Sequence, residues 1–141
     1  MTTSVAKHRK PGWIVVVFVA VGVLVSTFAD ARIMRNTIGA TARLTESGRA
    51  LVVTGPIQCD QTQPTYLRLT VSQRTTGAVA NGIANITCTP DERQWEVRIT
   101  AQGNAAFEEG SAIAVALARS TQNGSPDDAH QWLVNITLVR E

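Results

Sequence analysis

The stretch Trp95-Glu96-Val97-Arg98-Ile99-Thr100 alternates apolar and polar residues without a break. A period of two marks a strand with one buried face, whereas an amphipathic helix repeats its apolar positions three and four apart. Tyr66-Leu67-Arg68-Leu69-Thr70-Val71 shows the same alternation. Working outward, seven segments read as strands: 38–45, 49–59, 65–74, 78–88, 93–101, 111–120 and 129–140. Turn-forming clusters separate them, among them Glu46-Ser47-Gly48, Thr75-Thr76-Gly77, Thr89-Pro90-Asp91 and Gln122-Asn123-Gly124-Ser125-Pro126. Short strands at regular spacing, rich in Val, Ile and Thr, predict an all-β sandwich or barrel.

The alternation also assigns faces. It places Leu67, Leu69 and Val71 inward, with Trp95, Val97 and Ile99, and with Leu51, Val53, Ile57 and Cys59. In the sixth segment it selects Ile113, Val115 and Leu117 as inward, with the alanines between them on the reverse. In the last it selects Trp132, Val134, Ile136 and Leu138. The fourth segment offers only Ala80, Gly82, Ala84, Ile86 and Cys88, a weak strand suited to a sheet edge. Both cysteines fall on inward faces at strand ends, and no third competes beyond residue 31. An oxidising compartment would join Cys59 to Cys88, worth roughly 3–4 kcal/mol by loop entropy. Two free buried thiols are the alternative. The spacing is not Cys-x-x-Cys, which argues against a redox role.

The compartment is indicated by the N-terminal segment. Lys7-His8-Arg9-Lys10 precedes an uncharged run from Pro11 to Ala29, and Ala29-Asp30-Ala31 follows. A basic start, an apolar middle and small residues at −3 and −1 have the form of an export signal cleaved after Ala31. The run of nineteen is long for a signal and near the roughly 20 residues of a spanning helix. A retained single-pass anchor through residues 11–29 is therefore the alternative, with the rest of the chain outside in both cases. The expected organisation is a signal peptide or uncleaved anchor at 1–31, a flexible lead at 32–37 and a β-domain at 38–141. The export segment holds Lys7, Arg9, Lys10 and Asp30, so it carries the whole formal charge of +2. Beyond it stand ten arginines, ten acids and no lysine. A neutral domain with dispersed arginines gives no footprint for nucleic acid.

Several motifs together resemble a known group of proteins. They are Ala42-Arg43-Leu44-Thr45, Leu51-Val52-Val53-Thr54-Gly55 running to Cys59, Thr87-Cys88-Thr89, Gln94-Trp95-x-Val97, Phe107-x-x-Gly110-x-Ala112 and Val134-x-Ile136-x-Leu138. Over residues 40–140 the chain resembles small exported immunoglobulin-like β-sandwich proteins of high-GC Gram-positive bacteria, a group without an assigned activity. The resemblance implies a seven-strand antiparallel sandwich with a strand-to-strand disulfide. The chain departs from an antibody domain, which places a tryptophan between its bridged cysteines. Here Trp95 follows the second one.

Catalytic constellations are scarce. His130 is the one histidine after the export segment, so a multi-histidine zinc site is excluded. A Ser-His-Asp arrangement with Asp127 or Asp128 lacks the Gly-x-Ser-x-Gly elbow. Asp127-Asp128 and Glu108-Glu109 are acidic pairs on turns, without the alternating spacing of a calcium loop. Tyr66, Trp95 and Trp132 are the candidates for a sugar-stacking platform, but both tryptophans share core faces and Tyr66 stands alone. Asn85-Ile86-Thr87, Asn123-Gly124-Ser125 and Asn135-Ile136-Thr137 match the glycosylation sequon. The resulting expectation is a non-catalytic exported β-sandwich, without cofactor or metal, contacting a protein or envelope component at the cell surface or outside the cell. A carbohydrate-binding module is the alternative. An exposed strand edge would also permit homodimerisation, although nothing in the sequence selects it.

Overall fold

The computed structural model describes residues 32–122 and 125–140, and the side chains of Glu46, Gln122 and residues 125–127 lie outside that description. The expected signal or anchor at 1–31, with its Ala29 and Ala31 cleavage positions, also lies outside it. The described chain runs β1 (Ile33–Asn36), β2 (Thr41–Thr45), a short 3-10 turn (Glu46–Gly48), β3 (Ala50–Cys59), β4 (Gln63–Gln73), β5 (Ala78–Cys88), β6 (Arg93–Ala101), β7 (Gly110–Gln122) and β8 (Ser125–Arg140). The lead expected at 32–37 contains β1, whose Ile33–Asn36 pairs with Ile57–Cys59 of β3.

The strands close into one barrel, and this corrects the expected immunoglobulin-like sandwich. Hydrogen-bonded neighbours run β3-β2-β8-β7-β4-β5-β6, and β6 returns to β3 to complete a ring of seven, with β1 added on β3. Closure comes from two long-range pairings. Residues 50–57 of β3 lie antiparallel to residues 93–100 of β6, and Thr41–Leu44 lie parallel to Thr137–Arg140. The remaining ring contacts are antiparallel. Two independent sheets would leave the ring open at two places, and here every strand of the ring has neighbours on both sides. The resemblance to the exported sandwich family therefore falls with the architecture that it implied. So does the surface-contact role argued from that architecture, together with its carbohydrate-binding alternative.

Alternation correctly places Leu67, Leu69 and Val71 inside at zero exposure, with Val53, Trp95, Val97 and Ile99 beside them. In β7 the faces are inverted relative to expectation. Ala112, Ala114, Ala116 and Ala118 are buried, while Ile113, Val115 and Leu117 lie half-buried on the outside. The register supplies the reason. Ala116 sits between Leu69 of β4 and Trp132 of β8, and Ala114 between Val71 and Val134. Bulky inward residues on both neighbours fill the lumen, so the strand between them can point only methyl groups inward.

Loops complete the core at one end. Phe107 enters it from the β6–β7 connection at 1% exposure, and its amide donates to the Gly48 carbonyl at 2.9 Å. Gly48 has φ +78°, and a Cβ there would lie 2.1 Å from the Phe107 carbonyl oxygen. Only glycine fits both conditions. Arg49 ties the same connection down through its guanidinium, donating to the carbonyls of Ala101, Gly103 and Ala105 at 2.8–3.0 Å. Buried Gln73 does so from β4, donating to the Glu108 carbonyl and accepting from the Glu108 amide, both at 2.9 Å.

The ring is thinnest between β5 and β6. β5 pairs along its whole length with β4 but meets β6 only through Ala80–Ala101 and Asn81–Thr100. From Gly82 onward the ladder bonds to β6 lapse, although Gly82 still packs against Ile99 and Val97, so the small-residue strand expected at a sheet edge lies instead inside the ring, between β4 and β6. The Cys59–Cys88 disulfide, with a Cα–Cα distance of 5.7 Å, closes the barrel at the far end of this seam. Both cysteines are buried, and the Cys59 amide donates to the Thr89 carbonyl at 2.9 Å.

Candidate functional site

The outer surface divides into two unlike halves. On the β3–β6 side arginines meet carboxylates: Arg43 with Glu96 at 3.5 Å, and Arg35 of β1 with Glu92 at 2.7 Å. On the β5-β4-β7-β8 side the outward positions of the strands carry no carboxylate over residues 64–72, 79–87, 111–121 and 129–139. Arg68 and Arg119 project there, and Arg74 stands just past the end of β4. All three are exposed, and none has a hydrogen bond or ion pair among the described residues.

Strand register fixes how these groups meet. Tyr66 lies directly opposite Arg119, and Arg68 opposite Leu117, so the two arginines occupy diagonal positions. Diagonal neighbours across an antiparallel pair are about 7–8 Å apart at Cα. Like charges on such exposed neighbours repel at a small cost in water. That small cost would be reversed by an anion placed between them, because a guanidinium offers a planar fork to carboxylate or phosphate oxygens.

A groove follows the β4–β7 ladder. Tyr66, Arg68, Leu117, Arg119 and Thr121 line a depression of about 380 Å³. It shares Arg68 and Leu117 with a second, of about 190 Å³, that extends to Thr70, Val115 and Gln131. A third, of about 270 Å³, lies further along at Ser72, Arg74, Ile113 and Asn135. The floor is apolar because β7 turns its larger residues outward, and Leu133 beside it is 64% exposed. Sequence alternation assigned Ile113, Val115 and Leu117 to the core and therefore missed this surface.

The residues singled out from sequence mostly occupy structural positions. Trp95 is buried and donates through Nε1 to Asn36 Oδ1 at 3.3 Å. Trp132 is half-buried against the core, so Tyr66 is the one aromatic of the three facing the groove. His130 Nε2 lies 3.3 Å from Asp128 Oδ2. That carboxylate is already engaged, accepting from the Ile33 amide at 2.8 Å and from the Ala129 amide at 2.9 Å, so it fastens β1 to β8. Ser120 is buried and directs its hydroxyl to the Asp128 carbonyl at 3.5 Å. This geometry does not assemble a nucleophile, base and orienter. The Asp127 side chain lies outside the described residues, and among those described no group of three metal-ligating side chains comes together. Glu109 accepts from the Arg140 amide at 3.0 Å. Asn85 and Asn135 are exposed on outward strand positions, whereas Asn123 lies outside the description. Among the described residues no helix is long and apolar enough to cross a membrane.

No family model matches the chain, and no curated protein matches it. Among solved structures, the alkylpurine DNA glycosylase AlkC of Pseudomonas fluorescens, bound to DNA containing an abasic site analog, overlaps 78% of this chain and 30% of its own. The identity is 12% and the TM-score 0.38, a likeness too slight to inform this chain. The fold and surface are those of a small disulfide-stapled β-barrel with one arginine-bearing face, on which residues 64–72, 79–87, 111–121 and 129–139 include no carboxylate.

Proposed function

We propose that the barrel is a non-catalytic binding domain whose β4–β7 groove takes an extended acidic segment of a partner protein. The observation that carries this is the asymmetry of the arginines. Those at 35 and 43, on the other half of the barrel, are neutralised by carboxylates, whereas Arg68 and Arg119 flank an apolar floor and have no ion pair among the described residues. An extended chain suits the groove, because the three depressions lie in line along the ladder. Alternate acidic side chains at about 6.6–6.8 Å spacing would match the two-residue offset of Arg68 and Arg119 along the ladder. Tyr66 and Leu117 would pack the intervening residue.

The signal-like sequence pattern of residues 1–31 and the Cys59–Cys88 bridge support a site of action outside the cytoplasm, since such bridges persist in oxidising compartments. Binding of a fluorescently labelled Glu-rich peptide, followed by anisotropy, tests the reading. Affinity should fall as salt rises. The Arg68→Gln/Arg119→Gln pair should weaken binding roughly tenfold, the loss of two exposed charge-assisted contacts. Salt-independent binding, or equal affinity in the double variant, would refute it.

A further inference from the structure

The β4–β7 face changes character along its length. On the acidic-segment reading just given, we infer that the segment it takes has acidic ends and an apolar middle.

The outward positions of β4 are even-numbered, and each marks a row across the face. Arg119 lies opposite Tyr66 and Leu117 opposite Arg68, so each of the first two rows holds one arginine. In the third row Val115 lies between Thr70 of β4 and Leu133 of β8, and Leu133 is 64% exposed. The fourth sets Ile113 between Ser72 and Asn135. Neither of these rows carries a charge on β4, β7 or β8. Arg74 ends the series, lining one depression together with Ser72 and Ile113. Charge is thus confined to the two ends, with Val115, Leu133 and Ile113 between them.

These rows set the pattern of the ligand. A strand rises about 3.3 Å per residue, so the six steps from Arg68 to Arg74 span about 20 Å. An extended segment that turns alternate residues toward the face meets the five rows within about nine residues. Acidic residues at its first, third and last positions would face Arg119, Arg68 and Arg74. Apolar residues at the two facing positions between would cover Val115, Leu133 and Ile113. A uniformly acidic chain suits the ends only. Its central carboxylates would lose water over an apolar floor without gaining a cation, so the middle selects against chains that the ends attract. Arg74 should give the weakest of the three contacts, because Glu109 precedes β7 at the same end.

Anisotropy of three labelled peptides with the full-length protein, at one salt concentration, tests the pattern. The first is Glu-Ser-Glu-Ser-Val-Ser-Val-Ser-Glu. The second holds the same residues reordered as Val-Ser-Glu-Ser-Glu-Ser-Glu-Ser-Val, and the third replaces both valines of the first by Glu. The first should bind about fivefold more tightly than either of the others. Leu133→Ser, on the exposed surface, should erase its advantage over the all-acidic peptide, whereas Arg68→Gln/Arg119→Gln should weaken all three. Equal binding of the three peptides, still weakened by the double arginine variant, would overturn the apolar middle and leave the acidic-segment reading standing. An advantage of the first peptide that survives Leu133→Ser would also overturn it. Binding of none, or binding indifferent to the arginine pair, would overturn both.

Discussion

Removing the Cys59–Cys88 bridge should cost this barrel a large part of its stability, and the location of the bridge makes the loss traceable. The two cysteines are separated by 29 positions. In the loop-entropy model a cross-link of that span removes about 12 cal/mol/K from the unfolded chain, or about 3.6 kcal/mol at 25 °C. A domain of this size has a total stability of about 5–15 kcal/mol. With an unfolding entropy of about 2.1 cal/mol/K per residue, the melting temperature should drop by about 15 °C. The bridge also closes the far end of the β5–β6 seam, where no ladder bonds exist beyond Asn81. Its loss should therefore accelerate amide exchange first in residues 82–89 and 93–99, before the β4–β7 ladder responds. Thermal and urea unfolding of Cys59→Ala/Cys88→Ala by circular dichroism gives the total, and hydrogen exchange gives the distribution. A destabilisation under about 1 kcal/mol, or exchange that rises uniformly around the ring, would mean that the bridge does not hold the β5–β6 seam.

Two further outcomes concern packing. Ala116→Leu should destabilise the domain by about 1–3 kcal/mol because it overfills the row between Leu69 and Trp132, while Leu117→Ala, on the outer face, should cost about 1 kcal/mol or less. The reverse order in urea unfolding would restore the face assignment expected from sequence. Gly55→Ala should be among the most damaging single-methyl changes. The added Cβ would lie 2.1 Å from the Thr37 carbonyl oxygen and 2.5 Å from the Trp95 ring, costing about 2–3 kcal/mol in the same assay. A neutral result would mean that β1 and β6 are not held against β3 as described.

The strands themselves were legible in the sequence because each has one buried face, and alternation reports that directly. The disulfide was legible for the same reason, with Cys59 and Cys88 both inward at strand ends. The ring was not. Alternation says that β3 has an inner face, but not that β6 lies along one edge while β1 and β2 lie along the other. The parallel β2–β8 closure joins residues nearly a hundred positions apart. Nor could a period of two decide which half of β7 points inward. Hydrophobicity favours Val115 and Leu117, and only the neighbours Leu69, Val71, Trp132 and Val134 reverse that choice. The candidate groove followed from this reversal, so it was invisible along with it. The short β1 was hidden because Ile33-Met34-Arg35-Asn36 has no sustained alternation.

The two halves of the barrel are proposed to differ in function because their arginines differ in pairing. The most direct measurement compares the affinity of one Glu-rich peptide for three proteins at fixed salt: the unaltered chain, Arg68→Gln/Arg119→Gln and Arg35→Gln/Arg43→Gln. A loss of roughly tenfold is expected in the first pair and less than twofold in the second, since exposed contacts of this kind contribute about 0.2–1 kcal/mol each. Equal losses in the two pairs would show attraction by overall charge alone and would contradict the assigned site.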